Sequence, residues 1–317
     1  LCLCGDLKEV GNGLTTRSQS HLLGSDPGHG HVGINGSADV VGNFNVGGTL
    51  NVANGLDGVG TVDIAGDLIT GSGVDVVGDW TVGGDAWIDG DLKGVGSMNI
   101  EGDLYLTGDF STVGPTRFNN ARRGFRYRGT PCSCGSNQII DVAAEVAARR
   151  TSNDNLSLPN TIGTVDMTLT SGEYFIQDPG TLVGSAQLTI QGRVALFVEG
   201  DLESVGNLNI QLAENAELEM WVSGLISSVG NLNVSVANAD RPRAFKLYMG
   251  GSGAALVNVG NANLVGAIYA PEVDIEYVGN LTVHGALFAR NLKGTGNLVL
   301  VHDTDLPAPD ACADALY

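Results

Sequence analysis

Three kinds of side chain in this sequence could do chemistry: evenly spaced aspartates, a few histidines and paired cysteines. Asp67, Asp85 and Asp103 recur every 18 residues, and Asp91 and Asp109 repeat at the same interval. Carboxylates at one repeating position supply the hard oxygen ligands that calcium takes, so these three aspartates are the calcium candidates. Stacked carboxylates also repel one another unless water or cations screen them. The glycine- and aspartate-rich nonapeptides of calcium-binding repeats are absent, so a solvated acidic edge is the expectation. His284 and His302 are the candidates for a general base of acyl transfer. Both lie in strand-like runs, LTVHGALFA and LVLVHD, where a packed or surface histidine is expected. Glu272, Asp274, Glu276 and Arg290 could place acids and a base on adjacent rungs, as a polysaccharide lyase requires, but alternating acids are an ordinary solvated face. His21, His29 and His31 have the donor type for a transition metal, within a polar loop. No nucleophile triad is present, and no Gly-x-Gly fragment opens a helix. The sequence therefore reads as a non-enzyme with no cofactor beyond the calcium candidate.

The five cysteines are Cys2, Cys4, Cys132, Cys134 and Cys312. Two Cys-x-Cys pairs do not match the zinc-ribbon spacing. In an exported protein they read as disulfides, with the odd cysteine free or bonded to another chain; the alternative is five reduced thiols in a cytosolic protein. The spacing does not fix the pairing. Sequons at Asn35, Asn155, Asn233 and Asn280 match glycan acceptors, a pattern that Asn-rich repeats also generate by chance. A chain starting at Leu1 reads as a processed or trimmed product whose leader lay upstream.

The element that must position these residues is a repeat. Val-Gly recurs at Val41-Gly42, Val59-Gly60, Val77-Gly78, Val95-Gly96 and Val113-Gly114, always 18 residues apart. Four units follow, 41–58, 59–76, 77–94 and 95–112, each splitting into hexads such as VGTVDI, AGDLIT and GSGVDV. Within hexads the apolar residues sit two apart, as in Phe44/Val46, Leu50/Val52, Val62/Ile64 and Leu104/Leu106, which is strand alternation. Short strands with glycine corners at a fixed period predict a parallel β-solenoid with three faces per coil. The fold class is all-β: a parallel β-helix with 18-residue N-terminal coils, looser C-terminal coils and one short helical insertion.

The second half keeps the corners and loosens the period. Val205-Gly206-Asn207, Val229-Gly230-Asn231, Val259-Gly260-Asn261 and Val278-Gly279-Asn280 are spaced 24, 30 and 19 residues apart, and Gly296-Asn297 follows. Asparagines at equivalent corners predict an amide ladder from rung to rung. Between the halves the repeat disappears. Arg117, Arg122, Arg123, Arg126 and Arg128 crowd its first part, and QIIDVAAEVAARR at 138–150 has the apolar spacing of an amphipathic helix. The predicted organisation is a 1–40 N-terminal segment or cap, a 41–114 regular solenoid and a 115–160 Arg-rich insertion. A 161–303 second stack and a 304–317 tail complete it.

Composition removes whole classes of function. Glycine accounts for 47 of 317 residues, about twice the usual share of roughly 7%. The formal charge of −19 argues against a nucleic-acid partner, which needs a basic surface. No apolar run approaches the roughly 20 residues of a membrane helix. An apolar share of 43% is too high for a disordered acidic chain.

From about 115 to 305 the chain resembles a domain of unknown function found in bacterial pilus-assembly-like and surface proteins. The residues carrying this are DVAAEVAAR and the closing run GAIYAPEVDIEYVGNLTVHGALFARNLKGTGNLVLVHD. The repeat of 41–112 is similar to bactofilins, and that resemblance implies a β-helix that polymerises end to end. The function expected is therefore structural: an extracellular or cell-surface filament or surface-layer subunit. It would associate with its own copies, with the arginine cluster (Arg117 to Arg128) as the assembly candidate. A glycan-binding adhesin, or a polysaccharide-active enzyme using one solenoid face, is the alternative.

Overall fold

The computed structural model describes residues 1–20, 24–25, 29–154, 166–237, 241–251, 253 and 255–303. It is a parallel β-solenoid, as the repeat predicts: short strands stack in parallel register on the equivalent strands of the next coil. The chain divides into two compact units, the first comprising 1–135 with 291–317 and the second 136–290.

In the first unit each 18-residue coil contributes three strands of three or four residues. One column runs Leu50–Val52, Leu68–Thr70, Ala86–Ile88, Leu104–Leu106. The others run Leu56–Val59 to Phe110–Val113 and Phe44–Val46 to Met98–Ile100. Alternate residues point inward, so Leu50, Leu68 and Ala86, like Leu56, Val74 and Leu92, are sealed in the core. A strand this short cannot bury a face alone; the coils above and below close it.

The ladder begins upstream of residue 41. Leu7–Ser20 pairs along one edge with 38–46 and along the other with Leu292–Asp303, while Cys2–Leu3 pairs with Gly33–Ile34. The stretch 1–40 thus carries coil strands of its own. Its Val10-Gly11 is the same corner mark, hidden because the interval to Gly42 is 31 residues rather than 18.

Glycine sets how closely coils approach. Gly60 and Gly78 have φ of +130° and +137°, and a Cβ on Gly78 would lie 1.9 Å from the Gly60 carbonyl oxygen. Only glycine meets both demands.

In the second unit the coils are longer and uneven. Thr181–Ile190 pairs with Glu203–Leu212, and that strand with Ser227–Val236. Its corners carry the predicted amide ladder. Asn231 Nδ2 donates to Asn207 Oδ1 (2.9 Å), Asn261 to Asn231 (3.4 Å) and Asn280 to Asn261 (2.8 Å). The helix α1 covers Val142–Ala148, and the Asp141 carboxylate caps its start by accepting from the Ala144 N–H at 2.9 Å.

Candidate functional site

The repeating aspartates act on the backbone. Asp67 Oδ1 accepts the Asp85 N–H, and Asp85 Oδ1 accepts the Asp103 N–H, both at 2.8 Å. Asp91 serves Asp109 in the same way, and Asp103 accepts from Asn120 Nδ2. Asp67, Asp85 and Asp91 therefore each satisfy a corner backbone amide one coil on, which is why aspartate recurs at that place. Among the described residues no group of three His, Cys, Asp or Glu converges as a metal site.

A second acidic column escaped the sequence reading. Asp39, Asp57 and Asp75 lie in register on one outward face. Burial first, then the charges of Asp39 and Asp75, push the Asp57 carboxyl above its ordinary range. The signal was in the sequence: each of the three stands two residues before the valine of a Val-Gly corner, at the same 18-residue interval.

The remaining candidates do not come together. Asp274 holds Arg290 in a two-point ion pair at 2.7 Å from both Nε and Nη2. That bond raises the guanidinium pKa further, which is the wrong direction for a base. His284 and His302 are half-buried in separate coils. His31 Nδ1 accepts the Thr49 N–H at 3.0 Å and its ring meets that of His29 edge-on at 6.0 Å. His21, Cys312 and Asn155 lie outside the described residues.

Four cysteines pair as Cys2–Cys132 and Cys4–Cys134. What they pin is a strap. The outward row of one face of the first unit reads Gly33, Asn51, Ile69, Trp87, Tyr105, Arg122 in register. Trp87 and Tyr105 stack at 3.6 Å with their ring planes nearly parallel. The segment 124–134 runs back over this row. Phe125 packs on Trp87, and Tyr127 bonds Asn51 through its hydroxyl and Asp89 through its N–H, both at 3.0 Å. At the far end Asn35 and the Cys132 backbone exchange two hydrogen bonds of 2.9 Å. Gly33 admits this approach, since a Cβ there would lie 3.1 Å from Cys132 Sγ and Pro131 Cβ.

Three of the five assembly arginines serve this same unit. Arg122 lies over the Tyr105 ring and beside Asp103, Arg126 pairs with Asp89, and Arg123 donates to the Gly108 carbonyl. Arg117 lines a shallow recess with Asp79, Thr81 and Asn99, and Arg128 is exposed.

The second unit has its own outward aromatic row, which the sequence reading missed. Phe175, Phe197, Trp221, Tyr248 and Tyr269 stand in register, and Phe288 meets Tyr269 edge-on at 5.5 Å. α1 lies on it: Val142 and Val146 pack with Phe175 and Phe197, flanked by Ile140, Trp221 and Tyr248. The Tyr269 hydroxyl accepts the Ile140 N–H at 2.8 Å, and Arg150 pairs with Glu199.

One end of the first unit is left open. Phe110 continues the inward column of Leu56, Val74 and Leu92, which are 0%, 1% and 0% exposed, yet it is 39% exposed itself. Its coil accepts from the one before, Gly96 N–H to Val113 O and Met98 N–H to Pro115 O. Among the described residues no following coil meets the N–H groups of Phe110, Gly114, Thr116 or Ala121. Phe118 packs edge-on against Phe110 at 6.0 Å and covers it only in part.

Among the described residues no helix is long and apolar enough to cross a membrane. No curated protein and no solved structure matches this chain. Residues 133–308, more than half of the sequence, match the model of a family described as a domain of unknown function, DUF7305, and the chain belongs to that family.

Proposed function

We propose that this protein is a structural, extracellular solenoid subunit that associates end to end with its own copies. The observation carrying this is the Phe110 coil, whose core position and strand edge are both uncovered at the end of an otherwise sealed ladder. An open parallel edge is completed by another parallel edge. A second copy offers one in the opening strand of its own second unit, Met167–Gln177, which pairs along one side with Leu188–Glu199 and on the other is met by Asp154 at Glu173. Two different edges make a head-to-tail contact, and such contacts repeat into filaments unless the rotation closes. Two disulfides suit an oxidising compartment and so favour a place outside the cytosol. The resemblance of 41–112 to bactofilins and of the second half to pilus-assembly-like surface proteins points the same way.

Sedimentation and negative-stain microscopy across a concentration series test this reading. The full chain is expected to lengthen into linear assemblies, and Phe110→Asp to stay monomeric with unchanged circular dichroism. A monodisperse wild-type monomer at every concentration would overturn it.

A further inference from the structure

The residue just before each Val-Gly corner points into the coil. In the second unit three successive coils place Ser204, Ser228 and Asn258 there, in direct register. All three are sealed from solvent, at 4%, 2% and 1% exposure. Leu182 occupies the same position one coil earlier and closes the column with an apolar side chain. At the matching position the first unit uses Glu9, sealed at 0% exposure, and then Val40, Gly58, Val76 and Gly94. What sets the second unit apart is a run of three sealed polar residues on successive rungs, where the first unit has one, Glu9, followed by valine and glycine.

Ser204 Oγ, Ser228 Oγ and both amide atoms of Asn258 find no hydrogen-bond partner among the described residues. Buried polar groups in folded proteins are almost always paired, to protein or to ordered water. The register explains why these side chains do not pair with one another. Stacked rungs are about 4.8 Å apart, beyond the roughly 2.8 Å of a direct hydroxyl bond. A single water with arms of about 2.8 Å spans that interval at close to its natural angle.

We propose that the interior of the second unit binds a short file of water, one molecule bridging Ser204 to Ser228 and the next bridging Ser228 to Asn258. The chemistry of the column selects water over a cation. Asn258 presents a donor and an acceptor together, which water can satisfy at both atoms, whereas a cation would use Oδ1 alone and finds no carboxylate among these three side chains. Each hydroxyl likewise donates once and accepts. Each water then has two side-chain partners, within the two to four bonds of buried water, and the two molecules stand about one rung apart.

The sign of a thermal shift distinguishes a wet column from a dry one. If water bridges, Ser228→Ala removes the partner that both molecules share and lowers Tm by roughly 2–4 °C. If the column is dry, the same change deletes an unpaired buried hydroxyl and raises Tm. Ser204→Ala, which removes one bridge only, should shift Tm in the same direction by less. A high-resolution crystal structure of the full chain supplies the second readout, with two density peaks at hydrogen-bond distance from Ser228 Oγ expected. A rise in Tm, empty density along the column, or a metal ion in it overturns the proposal.

Discussion

Both units carry an outward row of aromatic side chains along one face, and each hides it by a different device. In the first, Trp87 and Tyr105 lie under an extended strap held by side-chain hydrogen bonds and two disulfides. In the second, Phe175 and Phe197 lie under α1, which buries Val142 and Val146 against them. An extended segment has little apolar surface to bury, so its ordering entropy is offset by covalent pins. A helix satisfies its own backbone and concentrates apolar residues on one stripe, so contact suffices. The same physical need is met covalently in one unit and by packing in the other.

The largest expected effect lies at the corners. A Cβ there would meet the preceding corner's carbonyl oxygen at 1.9 Å in both units, at Gly78 as at Gly206, and only Gly184, which begins its column, is open. Gly78→Ala puts a Cβ against the Gly60 carbonyl at positive φ and should destabilise the first unit by about 3–5 kcal/mol. Gly184→Ala in the second unit meets nothing within 4 Å and carries only the backbone penalty of about 1–2 kcal/mol at φ +103°. Denaturant titration of the two variants should separate them; equal losses would break the idea that coil approach is set by contact in the first unit. Next comes the strap. Replacing all four bonded cysteines by serine opens loops with a sequence separation of 130 and should cost about 2–5 kcal/mol of unfolding free energy. A reductant should reproduce that loss while leaving the Asn207–Asn231 ladder of the second unit protected from hydrogen exchange.

The helix should be worth less per change. Val146→Ala removes part of one sealed side chain and should cost about 1–3 kcal/mol, read as easier unfolding in denaturant, with no response to reductant. Sensitivity of this variant to reductant would blur the distinction between the two covers. The smallest effect concerns pH. His31 must be neutral to accept the Thr49 N–H, and burial, then the charge of His29, lower its pKa from the usual 6.5. The unfolded chain therefore takes up the proton first as pH falls, so stability is full above about pH 7 and declines below 6.5. Melts between pH 7.5 and 5 should show that slope, and His31→Gln should flatten it; an unchanged slope assigns it elsewhere.

What was legible in the sequence is what recurs as a fixed local motif, at constant spacing in the first unit and at uneven spacing in the second. The 18-residue Val-Gly spacing predicts the coils, and the Gly-Asn corners predict the amide ladder, because side chains one coil apart in register meet directly. The aspartates were visible but not their task, since a carboxylate bonding a backbone amide in the next coil leaves no mark on residue type beyond recurrence. The second unit's aromatic row was hidden by unequal spacing. Its local signal is an aromatic residue between two inward apolar ones, as in Leu196-Phe197-Val198, Met220-Trp221-Val222 and Leu247-Tyr248-Met249. Such triplets break the apolar-polar alternation and mark a strand covered on both faces. The cysteine pairing depends on where the strap ends, which no local pattern encodes.

The equal coils of the first unit also constrain how such a gene can change. Excising 59–76 would bring Gly78 onto Gly42, Asp85 onto Gly48-Thr49 and Val74's successor Leu92 onto Leu56, with every inward residue still inward. Removing or adding a number of residues that is not a multiple of 18 inside the repeat would throw corners, carboxylates and core out of phase together. Length in this unit is thus inherited in whole steps of about 4.8 Å, one duplication or deletion at a time.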